Sequence, residues 1–557
     1  MNYPTFLKHI DELIEKSDKE KLTAFIHEIA QLLSEDWRER FLSVLEECCA
    51  PSEVGSEMKC DGLPETIDRM LDKLDEINAG ERELGSRYNP EWESWNDDEW
   101  NEEYFFSDPN GILNDLNRTV DLIHASIDRE EYRKGYELAL QLSELIVCVD
   151  GDYDGGMMNI EELIRYSLVD GTNEALLKEC VYLAFMGSDD RRRAEAMLEI
   201  MDNLHGCISN LEEILEMSDG KTDVQSFLPS WIEALAVRND WKIDDYLEEA
   251  VSMLADGALA LDFASRYALT HPIIYSSILH HGLRVTDEEM TEIGLKAIDE
   301  VTGDTKVRKD ICLYTARYAL KCEKQETAEN CWLEAFRTDS SVTNYLRLRL
   351  LAKDWVRYAE TVKNINMTGN KPGSTTYSII RFLDTDFDDL MYGIVRNDDG
   401  TNSSSSGSDC VPFFLLLLSS EVEGMGMEAM LKRAVSESSF RTSEYILGTG
   451  IEDKRPDAAV FSECFNKWKM DITLDEEVCT RWIKNIDIWL QHYVQVAMDN
   501  NDRSSYGLHA QYIAALGEVE EARGKKGAKQ QLMADYRTQY WRHRSFVDEL
   551  VKYGYRK

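Results

Sequence analysis

The chain has 557 residues, 43% of them apolar, with 106 acidic against 61 basic side chains and a formal charge of −45. That apolar share can fill cores and excludes a disordered chain, while the length suits three to four domains or one long repeat array. The charge argues against broad binding of nucleic acid, whose phosphates need concentrated Lys and Arg, and suits a protein with a basic partner.

The first ten residues, Met-Asn-Tyr-Pro-Thr-Phe-Leu-Lys-His-Ile, lack the basic start and apolar stretch of a secretory signal. The longest apolar run, Val411 to Leu418, is too short to span a bilayer. Twelve cysteines are scattered, with no Cys-x-x-Cys and no zinc-like pairing with histidine. These features predict buried free thiols, no membrane contact and a reducing, cytoplasmic setting.

Residues 1–88 read as N-terminal helical hairpins. Phe6, Ile10 and Leu13, then Phe25, Ile29 and Leu32, then Trp37, Phe41 and Val44 form successive apolar stripes. After a loop with Pro51, Gly55, Gly62 and Pro64, the period resumes at Ile67, Met70, Leu74 and Ile77. Residues 89–110 mix acids with Trp92, Trp95, Trp100, Tyr104, Phe105 and Phe106. They form either a docking segment for a basic partner or a strap whose rings pack across the helices. From 111 to 395, helical stretches with brief polar breaks predict a helical-repeat array.

Within that array, residues 150–161 carry the sharpest chemical signal. Asp150, Asp152 and Asp154 occupy positions one, three and five of a calcium-loop pattern. Gly155 supplies the turn, Gly156 would offer a backbone carbonyl and Glu161 closes the loop. Such a loop is expected between two helices, and no second copy accompanies it. An acidic, glycine-rich turn is the alternative reading.

In 306–360, Ala316, Ala328, Trp332 and Ala335 fall at the small and aromatic positions of a tetratricopeptide-like hairpin. Residues 396–410, rich in Ser, Asp and Gly, read as a flexible loop. Residues 411–557 return to helical period. Their last 35 residues carry ten Lys or Arg against three acids. That end is expected to be a basic terminal cap with Tyr536, Tyr540, Phe546 and Leu550 inward; the alternative is a nucleic-acid contact.

The segments Trp482–Leu490, Tyr506–Glu521 and Tyr536–Leu550 resemble the end of the helical region in bacterial SWIM-type zinc-finger proteins. Ala328–Ala359, with Ala335-Phe336 and Trp355, and the opening with Arg40-Phe41-Leu42 are similar to it as well. The finger itself, a Cys-x-Cys followed by Cys-x-His, is absent. The resemblance therefore implies a bacterial helical scaffold and carries over no zinc-dependent role.

No P-loop, dinucleotide fingerprint, Gly-x-Ser-x-Gly or His-Glu-x-x-His occurs. His280-His281 is the one histidine cluster. Adjacent helical positions face different sides, so the pair is expected to be a poor chelate. The chain is thus expected to be all-α, an α-solenoid of stacked helical hairpins, tetratricopeptide-like. Its expected function is that of a non-enzymatic scaffold binding a basic protein through an acidic surface. The alternatives are a calcium-responsive helical module, a nucleic-acid-associated factor or an enzyme.

Overall fold

The computed structural model describes residues 62–88, 104–239, 242–303, 306–396, 408–420 and 422–556. Most of residues 1–88, the tryptophans of the acidic-aromatic segment and residues 397–407 of the Ser-rich loop lie outside the described residues. The described chain is mainly α-helical, with twenty-six helices and one four-stranded sheet. It divides into two compact units, Met1–Asp223 and Val224–Lys557. The boundary falls inside the stretch 111–395 that the sequence pattern reads as one array.

The first helix among the described residues of the first unit is α1 (Leu63–Asn78), which has Pro64 in its first turn and buries Leu63, Ile67, Met70, Leu74 and Ile77. This stripe repeats every three to four residues, as an amphipathic helix requires. Strands β1 (Glu83–Tyr88) and β2 (Tyr104–Ser107) follow, then α2 (Ile112–Asp128) and α3 (Tyr132–Ser143). The Asp108 carboxylate accepts the N–H groups of Ile112 and Leu113, both at 2.8 Å, and so starts α2. Next come β3 (Ile146–Gly151), β4 (Met157–Asn159) and α4 (Ile160–Arg165). The unit ends with α5 (Asn173–Gly187), α6 (Arg193–Asn203) and α7 (Leu211–Met217).

The sheet order is β2-β1-β3-β4. Its central pair, β1 and β3, is parallel, with Leu84 opposite Val149; the outer pairs are antiparallel. Parallel neighbours need a long crossover, which β2, α2 and α3 supply. Leu84, Val147, Val149 and Met158 are buried, whereas Ile146, Met157 and Phe105 are exposed. Helix α1 packs on β3. These strands correct the purely helical reading of 1–88 and 111–395. The run Ile146-Val147-Cys148-Val149 is β-branched at three of its four positions and too short to show a helical period.

The second unit is helical throughout its described residues. It begins with α8 (Val224–Ala236), α9 (Ile243–Met253), α10 (Gly257–Tyr267), α11 (Ile273–His281) and α12 (Asp287–Glu300). It continues through α13 (Lys306–Lys321), α14 (Gln325–Thr338), α15 (Val342–Leu351), α16 (Val356–Gly369), α17 (Thr375–Leu383) and α18 (Phe387–Arg396). A 3₁₀ turn at Ser408–Cys410 leads into α19 (Val411–Leu418), all of whose side chains are buried. Then follow α20 (Met425–Glu437), α21 (Thr442–Ile446), α22 (Asp457–Lys469), α23 (Glu476–Asp499), α24 (Tyr506–Ala522), α25 (Ala528–Gln539) and α26 (Arg544–Lys552). Among the described residues no helix is long and apolar enough to cross a membrane.

Sequential helices pair here, as α8 with α9 and α13 with α14, and alternate helices also touch, as α9 with α11 and α11 with α13. Asp244 meets His271 at 2.9 Å near the starts of α9 and α11, and the Ser277 hydroxyl meets the Glu248 carbonyl one turn further on, also at 2.9 Å. Those two helices therefore run parallel. Ala316, Ala328, Trp332 and Ala335 are all buried in α13 and α14. The Trp332 indole N–H donates to the Gly448 carbonyl at 2.8 Å.

Two buried charges join distant parts of this unit. Arg347 on α15 is fully buried and donates to the carbonyls of Tyr445 (3.0 Å) and Glu444 and to Asn344 Oδ1. Glu518 on α24 accepts the N–H groups of Gly426 (3.2 Å) and Met427 (2.7 Å) at the start of α20 and pairs with Lys529 at 2.5 Å. A negative charge there offsets the positive end of the helix dipole. A Cβ at Gly426 would lie 2.3 Å from the Ala515 nitrogen, so α20 and α24 meet there only because the residue is glycine.

Candidate functional site

The 150–161 segment is a hairpin tip, not the joint between two helices. Strand β3 enters it and β4 leaves it, and α4 starts at Ile160 behind an Asn159–Glu162 capping box. The Val149 N–H donates to the Gly156 carbonyl at 2.9 Å, which closes the hairpin. Ser86 on the neighbouring strand receives the Asp152 N–H on its carbonyl (3.3 Å) and the Tyr153 N–H on its hydroxyl (2.9 Å). Gly151 has φ +109°, and a Cβ there would sit 2.1 Å from the Ser86 carbonyl oxygen. Only glycine permits that approach.

Asp150, Asp152 and Asp154 are exposed on this tip. The Asp152 carboxylate accepts the Tyr88 N–H at 3.0 Å. Glu161 lies elsewhere in its contacts, 3.2 Å from His205 Nδ1. Burial raises the Glu161 carboxyl above its usual range, and the His205 contact opposes that rise. Beneath the tip, Tyr153 stands edge-on to Tyr104, Phe106 and Tyr166, with centroids 5.4–6.1 Å apart. Burial, then Glu162, push the Tyr153 phenol up to about 12.

Among the described residues, one group of three metal-ligating side chains has its ligand atoms within 4.8 Å of one another: Glu248, His280 and His281. The loop carboxylates form no such group. The His280 and His281 rings lie 4.6 Å apart between centroids, so the adjacent histidines converge, contrary to the expectation from helical spacing. They close α11, where Gly282 at φ +81° turns the chain away and leaves both side chains at an open helix end. Burial, then the neighbouring His281, push the His280 imidazole below its ordinary value.

The basic end of the chain is partly spent on the body. Arg523 pairs with Glu476, Lys525 with Glu520 and Lys529 with Glu518, whereas Lys552 pairs with Glu549 within the end itself. Tyr536, Tyr540, Phe546 and Leu550 are buried. Two open clefts of about 650 and 450 Å³ share Ser419, Ser420 and Lys469. The Lys469 ammonium donates to the carbonyls of Leu416 (2.9 Å) and Ser419, which end α19. Burial lowers its pKa. Lys469 thus caps one helix from the end of another. Neither Lys469 nor Glu248 stands in a motif that a linear reading would single out.

Compared with protein-family models, curated proteins and solved structures, the chain finds no match. The acidic exterior is the largest feature left to read. Among the described residues only three carboxylates are buried, Asp115, Glu329 and Glu518, and each has partners. Asp115 pairs with Lys73 (2.6 Å) and Arg82 (2.7 Å). Glu329 accepts from Gln325 and the Lys353 N–H, both at 2.9 Å, and from the Tyr358 hydroxyl at 3.1 Å. The remaining described carboxylates are at least partly open to solvent.

Proposed function

We propose that this chain is a non-enzymatic helical scaffold that binds a basic protein partner through its acidic exterior. The observation that carries the reading is the −45 charge combined with the outward placement of nearly all described carboxylates. A field of that sign gathers basic surfaces by long-range attraction and repels phosphate backbones. Stacked hairpins such as α13 and α14 supply a rigid body on which the charge is displayed. The resemblance to the helical region of SWIM-type proteins is in keeping with a scaffold role. The test is capture from native lysate at low and at high salt. Basic proteins retained at low salt and released at high salt are expected. Retention indifferent to salt would contradict the electrostatic reading.

A calcium response of the 150–161 loop is the second proposal. It is supported by three exposed aspartates on one tip, followed after the short strand β4 by a helix whose first turn holds Glu161. Binding would have to draw Glu161 from His205 and bring the carboxylates together. A calcium-dependent rise in melting temperature that disappears in Asp150→Ala is expected; no heat on titrating the wild type with calcium ends the idea.

A further inference from the structure

We propose that Glu248, His280 and His281 bind a divalent transition ion of the zinc class, a site independent of the scaffold reading. Two imidazoles and one carboxylate are the donors zinc takes when three protein groups hold it and a fourth position stays open. Calcium and magnesium prefer all-oxygen surroundings, so the donor set selects against them. The three ligand atoms already lie within 4.8 Å of one another. His280 Nδ1 stands 3.9 Å from Glu248 Oε1. Donors on a tetrahedral zinc with bonds near 2.0–2.1 Å are about 3.3 Å apart. The remaining closure is a small side-chain movement at partly exposed positions.

The surrounding helices hold the ligands in place. The Ser277 hydroxyl donates to the Glu248 carbonyl and pins α9 against α11 beside the site. The His280 ring stacks on Tyr314 of α13, with centroids 5.1 Å apart and planes within 10°. Arg317 on α13 donates to the carbonyls of Leu279 (3.2 Å) and His280 (3.3 Å), which fixes the end of α11. Its guanidinium lies over the Tyr314 and Tyr318 rings. These contacts restrict the His280 ring and the end of α11, so the ligands need little ordering on binding. The cation would bridge two parallel helices, α9 and α11, and lock their register.

The test is calorimetric titration of the full chain with zinc chloride at neutral pH, in excess magnesium to occupy general acidic sites. One saturable zinc site is expected in wild type. His280→Ala and His281→Ala should each weaken it by more than the roughly 10- to 100-fold that losing an outer partner of a ligand costs, and Glu248→Gln should weaken it as well. Both histidines are partly exposed, so these variants fold, which circular dichroism verifies. His124→Ala removes a histidine that meets Glu179 at 3.0 Å in the other unit and should bind zinc as wild type does. No saturable site in wild type, an isotherm unchanged in His280→Ala and His281→Ala, or an equal loss in His124→Ala would overturn the proposal.

Discussion

In the unit ending at Asp223, four short strands brought together from 83–159 are clamped by glycine and by main-chain bonds to Ser86. In the unit beginning at Val224, helices are joined instead by buried polar side chains, Arg347, Trp332 and Glu518, each reaching a backbone group far away in sequence. The first arrangement depends on how closely backbones approach. The second depends on satisfying carbonyl and N–H groups that helix ends leave unpaired. A substitution that breaks one kind of joint should leave the other unit's unfolding transition largely in place.

The largest expected effect is in the second unit. Arg347→Leu would leave the acceptors at Tyr445, Glu444 and Asn344 buried without their donor, a loss of about 3–5 kcal/mol. Denaturant unfolding followed by tryptophan fluorescence checks it. In the first unit, Gly151→Ala forces both a positive φ and a collision with Ser86, for a loss of about 2–3 kcal/mol. Hydrogen exchange should place the loosening in β3 and β4 and not in α13 or α14.

A third change should stabilise. Burial raises Asp384 to about 6 while it accepts the Tyr345 hydroxyl at 2.6 Å. A carboxyl whose folded pKa lies above its unfolded value of about 3.9 favours the fold when protonated, and that contribution is lost as pH rises through about 6. Asp384→Asn keeps an acceptor without the charge. It should therefore gain about 1–3 kcal/mol near pH 7.5 and nothing at about pH 4, read from unfolding midpoints at the two values. The smallest effect is Trp332→Phe. It keeps the ring in the core and gives up the bond to Gly448, costing about 1–2 kcal/mol in the same assay.

The helices were legible where an apolar stripe ran for three turns, as at Ile67, Met70, Leu74 and Ile77. The small residues at Ala316, Ala328 and Ala335 likewise marked buried positions. The strands were hidden because β4 is three residues long and because β1 and β3 pair across some sixty residues of intervening chain. The aspartates at 150, 152 and 154 were visible as a spacing, but a spacing does not distinguish a helix-flanked loop from a hairpin tip. The His280-His281 pair was visible but read as a poor chelate, and Glu248 escaped for a different reason. Their meeting depends on α9 and α11 running parallel, a property of the packing and not of any local pattern.

The central claim, that an anionic exterior does this chain's work, is tested most directly by the affinity for its captured partner across a salt series. The account predicts that affinity falls steadily as salt rises, because exposed charges are screened within a Debye length of about 8–10 Å near physiological ionic strength. An affinity that stays flat from low to high salt would contradict it.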